Sequence, residues 1–245
     1  MPLSSGSAVV RALLVRGMLA GGAAGVAAFV VAYLVGEPGI EGGIAFEEQG
    51  AHVHDELVSR GVQSTAGLLV GVLVWAVAVG GIFALVYAGT RGRIGPARPR
   101  AAALVLAVVG FVVVVLVPFL KYPANPPGSS DGGSIVARTD LYLLMLLFSV
   151  LVAAAATALG NTLAPRLGTW NATIAAVAAY LLVVAVGGAL LPSVDETPAD
   201  FPAPLLYDFR VASLAVQAVL WGVLGLVFGA LVERSAQRDQ ALAAR

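Results

Sequence analysis

Gly61–Thr90 reads GVQSTAGLLVGVLVWAVAVGGIFALVYAGT, thirty residues without a charge. At about 1.5 Å per residue an unbroken helix over this stretch is roughly 45 Å long, more than the roughly 30 Å of a hydrocarbon core. It predicts a transmembrane helix that is tilted, or interrupted near Gly80 and Gly81. Five further charge-free windows share its character, at 17–36, 101–120, 141–165, 167–194 and 211–232. Each is long enough to cross a bilayer, so the chain reads as an all-α, polytopic integral membrane protein with six transmembrane helices. The windows at 141–165 and 167–194 are separated by Arg166 alone, within Pro165-Arg166-Leu167-Gly168. That spacing predicts a tight antiparallel hairpin.

Composition agrees. The chain is 59% hydrophobic and 11% charged, whereas soluble domains carry about 45–50% apolar and about 25% charged residues. The spans and their short connections use up the 245 residues, so 1–245 reads as one transmembrane domain. Cysteine is absent, which excludes disulfides, thiolate metal sites and cysteine nucleophiles. Arg11 and Arg16 precede an apolar run over 17–36 that outlasts the usual signal-peptide core of about 7–15 residues. A retained first span is expected. Runs of small residues, Ala20–Gly25 and Ala153–Ala156, predict close helix packing.

The net charge of zero conceals a polarised chain. Glu37, Glu41, Glu47, Glu48, Asp55, Glu56, Asp131, Asp140, Asp195, Glu196, Asp200 and Asp208 fall in one alternating set of connections. Arg11, Arg16, Arg91, Arg93, Arg98, Arg100, Arg166, Arg234, Arg238 and Arg245 fall in the other. Positive-inside asymmetry then places both termini and the arginines in the cytoplasm and the carboxylates outside. The preference for Arg over Lys, with abundant Ala, Gly and Val, points to a GC-rich bacterial genome and hence to the inner membrane. A faint parallel repeat relates the first hairpin, with Arg60, Gln63 and Trp75, to the last, with Arg210, Gln217 and Trp221.

The densest set of candidate ligands is Glu47, Glu48, His52, His54, Asp55 and Glu56 in the first outward loop. In a helix Glu48, His52 and Glu56 share a face; in an extended chain His52 and His54 do. Mixed imidazole and carboxylate donors suit Co, Ni, Fe or Zn better than Mg. The alternative is a solvated acidic loop that serves topology. Any imidazole site weakens as pH falls, because the ligand must be unprotonated.

Pro118-Phe119-Leu120-Lys121-Tyr122-Pro123-Ala124-Asn125-Pro126-Pro127 ends the third span. Its prolines stop regular helix and free carbonyls of the preceding turn. Either this is a cavity mouth with Lys121, Tyr122 and Asn125 on its rim, or Lys121 and Tyr122 are interfacial anchors on a stiff exit turn. Gln63, Ser64, Thr65, Ser213 and Gln217 are the polar groups expected to face a bundle interior, as helix-to-helix hydrogen bonds or as a hydrated route. Arg60 and Arg210, where acidic connections re-enter the membrane, are expected to snorkel, to pair with nearby carboxylates, or to form a positive gate.

No phosphate-cradling Gly-rich loop, His-Glu-x-x-His or Gly-x-Ser-x-Gly is present, so an enzyme is not expected; Lys121 with Tyr122 is the only suggestive reacting pair. Scattered helix-end arginines argue against a nucleic-acid partner. No tightly bound cofactor is expected.

Read together, Gly36-Glu37-Pro38, Ala45-Phe46-Glu47-Glu48, Ser59-Arg60-Gly61-Val62-Gln63-Ser64, the Pro118–Pro127 string, and Phe201-Pro202-Ala203 running to Arg210, Gln217, Leu220 and Trp221 resemble the CbtA family. These are membrane subunits of a predicted cobalt transporter, and the resemblance covers nearly the whole chain. It implies uptake of Co²⁺ for cobalamin biosynthesis beside a small single-span CbtB-like subunit with a His-rich terminus. Membrane lipid is the other expected partner, and the small-residue faces leave open packing within one chain or between chains of an oligomer. The expectation is therefore a divalent-cation uptake subunit. The alternatives are a permease or accessory subunit for another small solute, and a structural membrane protein. No Asp or Glu lies in a predicted span to offset a divalent ion, so the route would be wet or completed by a partner.

Overall fold

The structure, a computed structural model, describes residues 3–49, 58–90, 99–130, 135–194 and 197–243. Among them all regular structure is helical: α1 (Leu3–Val31), α2 (Glu37–Gln49), α3 (Arg60–Val62), α4 (Leu68–Thr90), α5 (Pro99–Gly110), α6 (Val117–Lys121), α7 (Ile135–Leu190) and α8 (Ala203–Ala243). Short π-helical segments, Ala32–Gly36, Gln63–Gly67 and Phe111–Leu116, join α1 to α2, α3 to α4, and α5 to α6. The result is five long apolar helices able to cross a membrane: Gly6–Gln49, Arg60–Thr90, Pro99–Lys121, Ile135–Leu190 and Ala203–Leu242.

The 56-residue α7 is bent back on itself. Gly168 has φ 74° and ψ 157°, a left-handed conformation that favours glycine. Beyond it the chain returns antiparallel, with Gly160 beside Ala176, Ser149 bonded to Tyr180, and Phe148 against Gly187. The expected hairpin is present, and Pro165 stands three residues before the reversal.

Two close helix pairs build the core. On α1, Gly17, Gly21 and Gly25 recur every fourth residue and meet Ala76 and Gly80 of α4 so closely that a Cβ on Gly17 would lie 2.2 Å from the Gly80 carbonyl oxygen. On α8, Gly225 and Gly229 face Ala103 and Ala107 of α5. Small residues at four-residue spacing let backbones approach where apolar side chains gain little by leaving lipid. Leu220, Leu224 and Phe228 of α8 fill the middle of the bundle, with the Phe228 ring edge-on to Phe83 and Tyr87. The α7 hairpin packs on one side, where Met145, Tyr180 and Val184 meet Val113 and Val117, and leaves most of its surface uncovered.

Two expectations change. The first helix runs well past 17–36, because 37–49, expected as a loop, continues it as α2. Pro38 lies inside this continuous helix, where its missing N–H and its ring break the regular ladder, and the π-helical turn Ala32–Gly36 stands just before it. No interruption occurs at Gly80 and Gly81; α4 runs straight through, and the irregular turn lies at Gln63–Gly67 instead.

Candidate functional site

The antiparallel register of the first two helices sets the depth of the site. From Gly17 opposite Gly80 it continues for twenty residues to Glu37 opposite Arg60, about 30 Å along the axis and so the full depth of a hydrocarbon core. At the first end lie exposed Arg11 and the Arg16 guanidinium, which donates to Ser235 Oγ at 2.7 Å. Arg100 approaches Glu233 at 3.9 Å there, and Arg166 sits exposed at the hairpin turn. The opposite end carries Glu37, Glu41, Glu47, Glu48, Arg60, Lys121, Arg138 and Arg210. The two charge sets expected from sequence therefore occupy opposite ends of the bundle wherever their residues are described.

Glu37 is the one buried carboxylate among the described residues, 6% exposed. Its Oε2 accepts from the Arg60 guanidinium, across the gap between the first two helices. The Arg60 Nε is buried and meets no acceptor. By sequence Glu37 belongs with the loop acids and is no candidate site residue; only its burial distinguishes it.

The Pro-rich segment is strapped down. Lys121 Nζ donates to the Leu191 carbonyl at 2.9 Å and Tyr122 Oη to the Pro192 carbonyl at 2.8 Å, tying the end of α6 to the returning arm of α7. Arg138 donates to the Pro123 carbonyl. Arg210 reaches the Ala124 carbonyl at 3.3 Å and Asn125 Oδ1 at 2.9 Å. Tyr122 is buried, which pushes its phenol above the ordinary value near 10. Prolines 123, 126 and 127 lack an N–H, so the carbonyls are this segment's main polar handles. Lys121, Tyr122 and Asn125 thus spend their hydrogen bonds on backbone and Arg210. Of the two arginines expected to find carboxylates, Arg60 does, and Arg210 meets none among the described residues.

This segment lies against α2. Gly43 abuts Pro127, Gly128 has φ 71° beside the Gly43 carbonyl and the Glu47 side chain, and Phe46 stacks edge-on to Phe201. Glu41, Glu47 and Glu48 point outward, exposed, on the same short helix. His52, His54, Asp55 and Glu56 lie outside the described residues. Among those described, no three His, Asp or Glu side chains gather as a metal site.

The polar residues of the spans divide differently from the expectation. Gln63 and Thr65 are exposed and bond locally, Gln63 Nε2 to the Val58 carbonyl at 2.7 Å and Thr65 Oγ1 to the Gly61 carbonyl at 2.6 Å. Ser64 and Ser213 likewise bond backward along their own helices. Gln217 alone of this group is half-buried without a hydrogen bond among the described residues. The polar link that does join helices was not anticipated: Ser149 Oγ donates to the Val113 carbonyl at 2.7 Å and accepts from Tyr180 Oη at 2.8 Å. Its donor order follows from the single hydroxyl hydrogen of Ser149. Val113 lies in the π segment 111–116, where the Val117 N–H bonds to Val112, five residues back, and leaves the Val113 carbonyl open.

Residues 10–233 match the model of a family described as probable cobalt transporter subunit (CbtA). No curated protein and no solved structure matches the chain.

Proposed function

The chain belongs to the CbtA family, and from that footing we propose that it is the membrane-embedded part of an uptake system for a divalent transition-metal cation, Co²⁺ first, serving cobalamin biosynthesis. In this reading the two arms of α7 each cross the bilayer, giving six crossings with both termini in the cytoplasm of a bacterial inner membrane. The acidic end then faces the compartment from which the cation comes. A small single-span subunit with a His-rich terminus, as in the CbtB type, completes the assembly.

The observation that carries this reading is the charge at one end of the bundle. Glu41, Glu47, Glu48, Asp140, Asp200 and Asp208 are exposed there and no ion pair joins them among the described residues; with buried Glu37 they outnumber the basic groups described at this end, Arg60, Lys121, Arg138 and Arg210, of which Arg60 neutralises Glu37. The free field is negative and concentrates cations within roughly 8 Å of the surface at physiological ionic strength. Glu47 and Glu48 lead into His52 and His54, whose imidazoles supply the nitrogen donors that distinguish Co²⁺ from Mg²⁺. Lys121 and Tyr122, the only pair that resembled a reacting couple, hold backbone carbonyls instead.

The test is ⁵⁷Co accumulation in cells expressing the chain with its genomic neighbour, comparing the parent with His52→Ala plus His54→Ala. The parent should accumulate cobalt and the double variant several-fold less. Accumulation by the parent no greater than in empty cells would remove the transport reading, and a double variant equal to the parent would remove the histidines from it.

A further inference from the structure

Resting on the cation-uptake reading above, we propose that Glu37 is a cation-binding carboxylate beneath the acidic mouth, and that Arg60 is a tethered counter-ion which occupies it until the metal ion arrives. Three observations converge on this pair.

The first is burial. Every other described carboxylate at this end of the molecule is exposed, while Glu37 is buried within a helix continuous with the first span. An ionised group buried at the edge of the hydrocarbon calls for a named partner and a use. Packing of the segment does not require a carboxylate, since a buried ion pair is weak support for stability.

The second is the shape of the gap. Towards the arginine-rich end α1 and α4 touch backbone to backbone at Gly17, Gly21 and Gly80. At the Glu37 end the glycines beside the pair, Gly36 and Gly61, have open space where a Cβ would stand. The two helices meet through backbone below, and at the other end the contact between them is a side-chain pair, Glu37 with Arg60. Both partners adjoin a π-helical turn, Ala32–Gly36 immediately before Glu37 and Gln63–Gly67 just after α3. Such turns loosen the regular ladder and recur at functional sites.

The third is incomplete bonding. Only Oε2 of Glu37 accepts a hydrogen bond among the described residues, and the Arg60 Nε is buried with none. A planar guanidinium can hold a carboxylate through two parallel bonds, which is the stronger arrangement. This one holds it through a single bond and leaves a donor orphaned. Arginine here supplies the positive charge a buried carboxylate needs but does not saturate it, which is what a displaceable counter-ion requires. When Co²⁺ takes the carboxylate, Arg60 swings towards the exposed acids around the mouth, and the net charge of the buried layer rises by one instead of two.

The test uses the full chain purified in detergent and ⁵⁷Co binding, alongside cell accumulation. Competition between Arg60 and the ion gives effects of opposite sign: Glu37→Gln should weaken Co²⁺ binding about tenfold or more, and Arg60→Gln should tighten it by a similar factor. Both variants should slow accumulation, the second because the ion is released slowly. A structural ion pair predicts no tightening with Arg60→Gln, and that result overturns the proposal. If a lone buried charge prevents folding, the neutral pair Glu37→Gln with Arg60→Gln removes both charges; weakened Co²⁺ binding by this double variant supports the site, and binding equal to the parent overturns it. A parent that takes up cobalt with Glu37→Gln unchanged sinks this inference alone, whereas a parent that neither binds nor accumulates cobalt sinks the uptake reading beneath it.

Discussion

Replacing Gly80 by alanine tests the closest backbone contact in the bundle. The added Cβ would stand 2.2 Å from the Gly17 carbonyl oxygen and 2.9 Å from the Gly21 Cα. Ordinary contact begins near 3.4 Å, so α1 and α4 must separate by about 1.2 Å, and neither obstacle is a side chain that can rotate away. Overpacking of this kind costs about 1–3 kcal/mol, which for a chain of this size lowers the Tm by roughly 2–12 °C. The control is Gly71→Ala in the same helix, whose Cβ meets nothing within 4 Å. There the better helix propensity of alanine should leave the Tm unchanged or raise it. Melting of the detergent-purified protein, followed by size exclusion at one fixed heating regime, reads both. Gly17→Ala should act like Gly80→Ala, and the double variant should cost less than the two singles together, because one separation relieves both clashes. Equal shifts for Gly80→Ala and Gly71→Ala would refute the claim that these helices meet through glycine backbone.

Ser149→Ala should destabilise the α7 hairpin by about 1–2 kcal/mol, since it strands the Val113 carbonyl and the Tyr180 hydroxyl together, while Tyr180→Phe removes one donor and should cost about 0.6 kcal/mol; thermal melting of both variants ranks them. Burial raises the Tyr122 phenol above its ordinary value, so the folded chain holds that proton where the unfolded chain has lost it. The stability this contributes is intact below pH ~10 and falls as pH rises beyond it, and Tyr122→Phe should flatten the Tm profile between about pH 9.5 and 11 relative to the parent. With no native cysteine, Ala203→Cys should react with an impermeant maleimide from outside intact cells and Ala241→Cys only after permeabilisation; the reverse pattern would invert the orientation.

Charge-free length made the helices legible in the sequence, because only an apolar run of about 20 residues satisfies lipid. The hairpin reversal was legible for a related reason, since Pro165 and Gly168 mark a turn by their own backbone limits. What stayed hidden depended on tertiary neighbours. The stretch 37–49 looked like a loop because it holds Pro38, three glycines and four acids, yet it is helical where Gly39, Gly42 and Gly43 seat Phe209, Leu205 and Pro127. The π turns carry no periodic signature. Gln63, beside Ser64 and Thr65, and Ser149, alone between apolar neighbours, both interrupt apolar runs, and nothing local says that the first lies exposed while the second joins two helices. Glu37 reads like its acidic neighbours until the position of Arg60, 23 residues on, is known.

That last contrast bears on how a cation could enter a bundle whose spans seemed to hold no acid. The objection was that a divalent ion crossing hydrocarbon depth meets no compensating carboxylate, at a cost of at least about 2.5–3.5 kcal/mol for even a single charge at a helix centre. Continuation of the first helix through 37–49 moves the boundary of the span, so that Glu37 becomes a buried residue of a membrane helix. Below it the two helices are sealed by glycine contacts at Gly21 and Gly17, so a path along this seam must open them or turn aside. Among the described residues Gln217 on α8 is half-buried without a hydrogen-bond partner, in the same layer as buried Leu220 and Trp221. An ion handed on from Glu37 would next meet α8, which packs along the same first helix through Gly39–Phe209 and Arg16–Ser235. Gln217→Leu should then slow cobalt accumulation without weakening Co²⁺ binding at Glu37, and loss of both together would place Gln217 in the fold and not on the route.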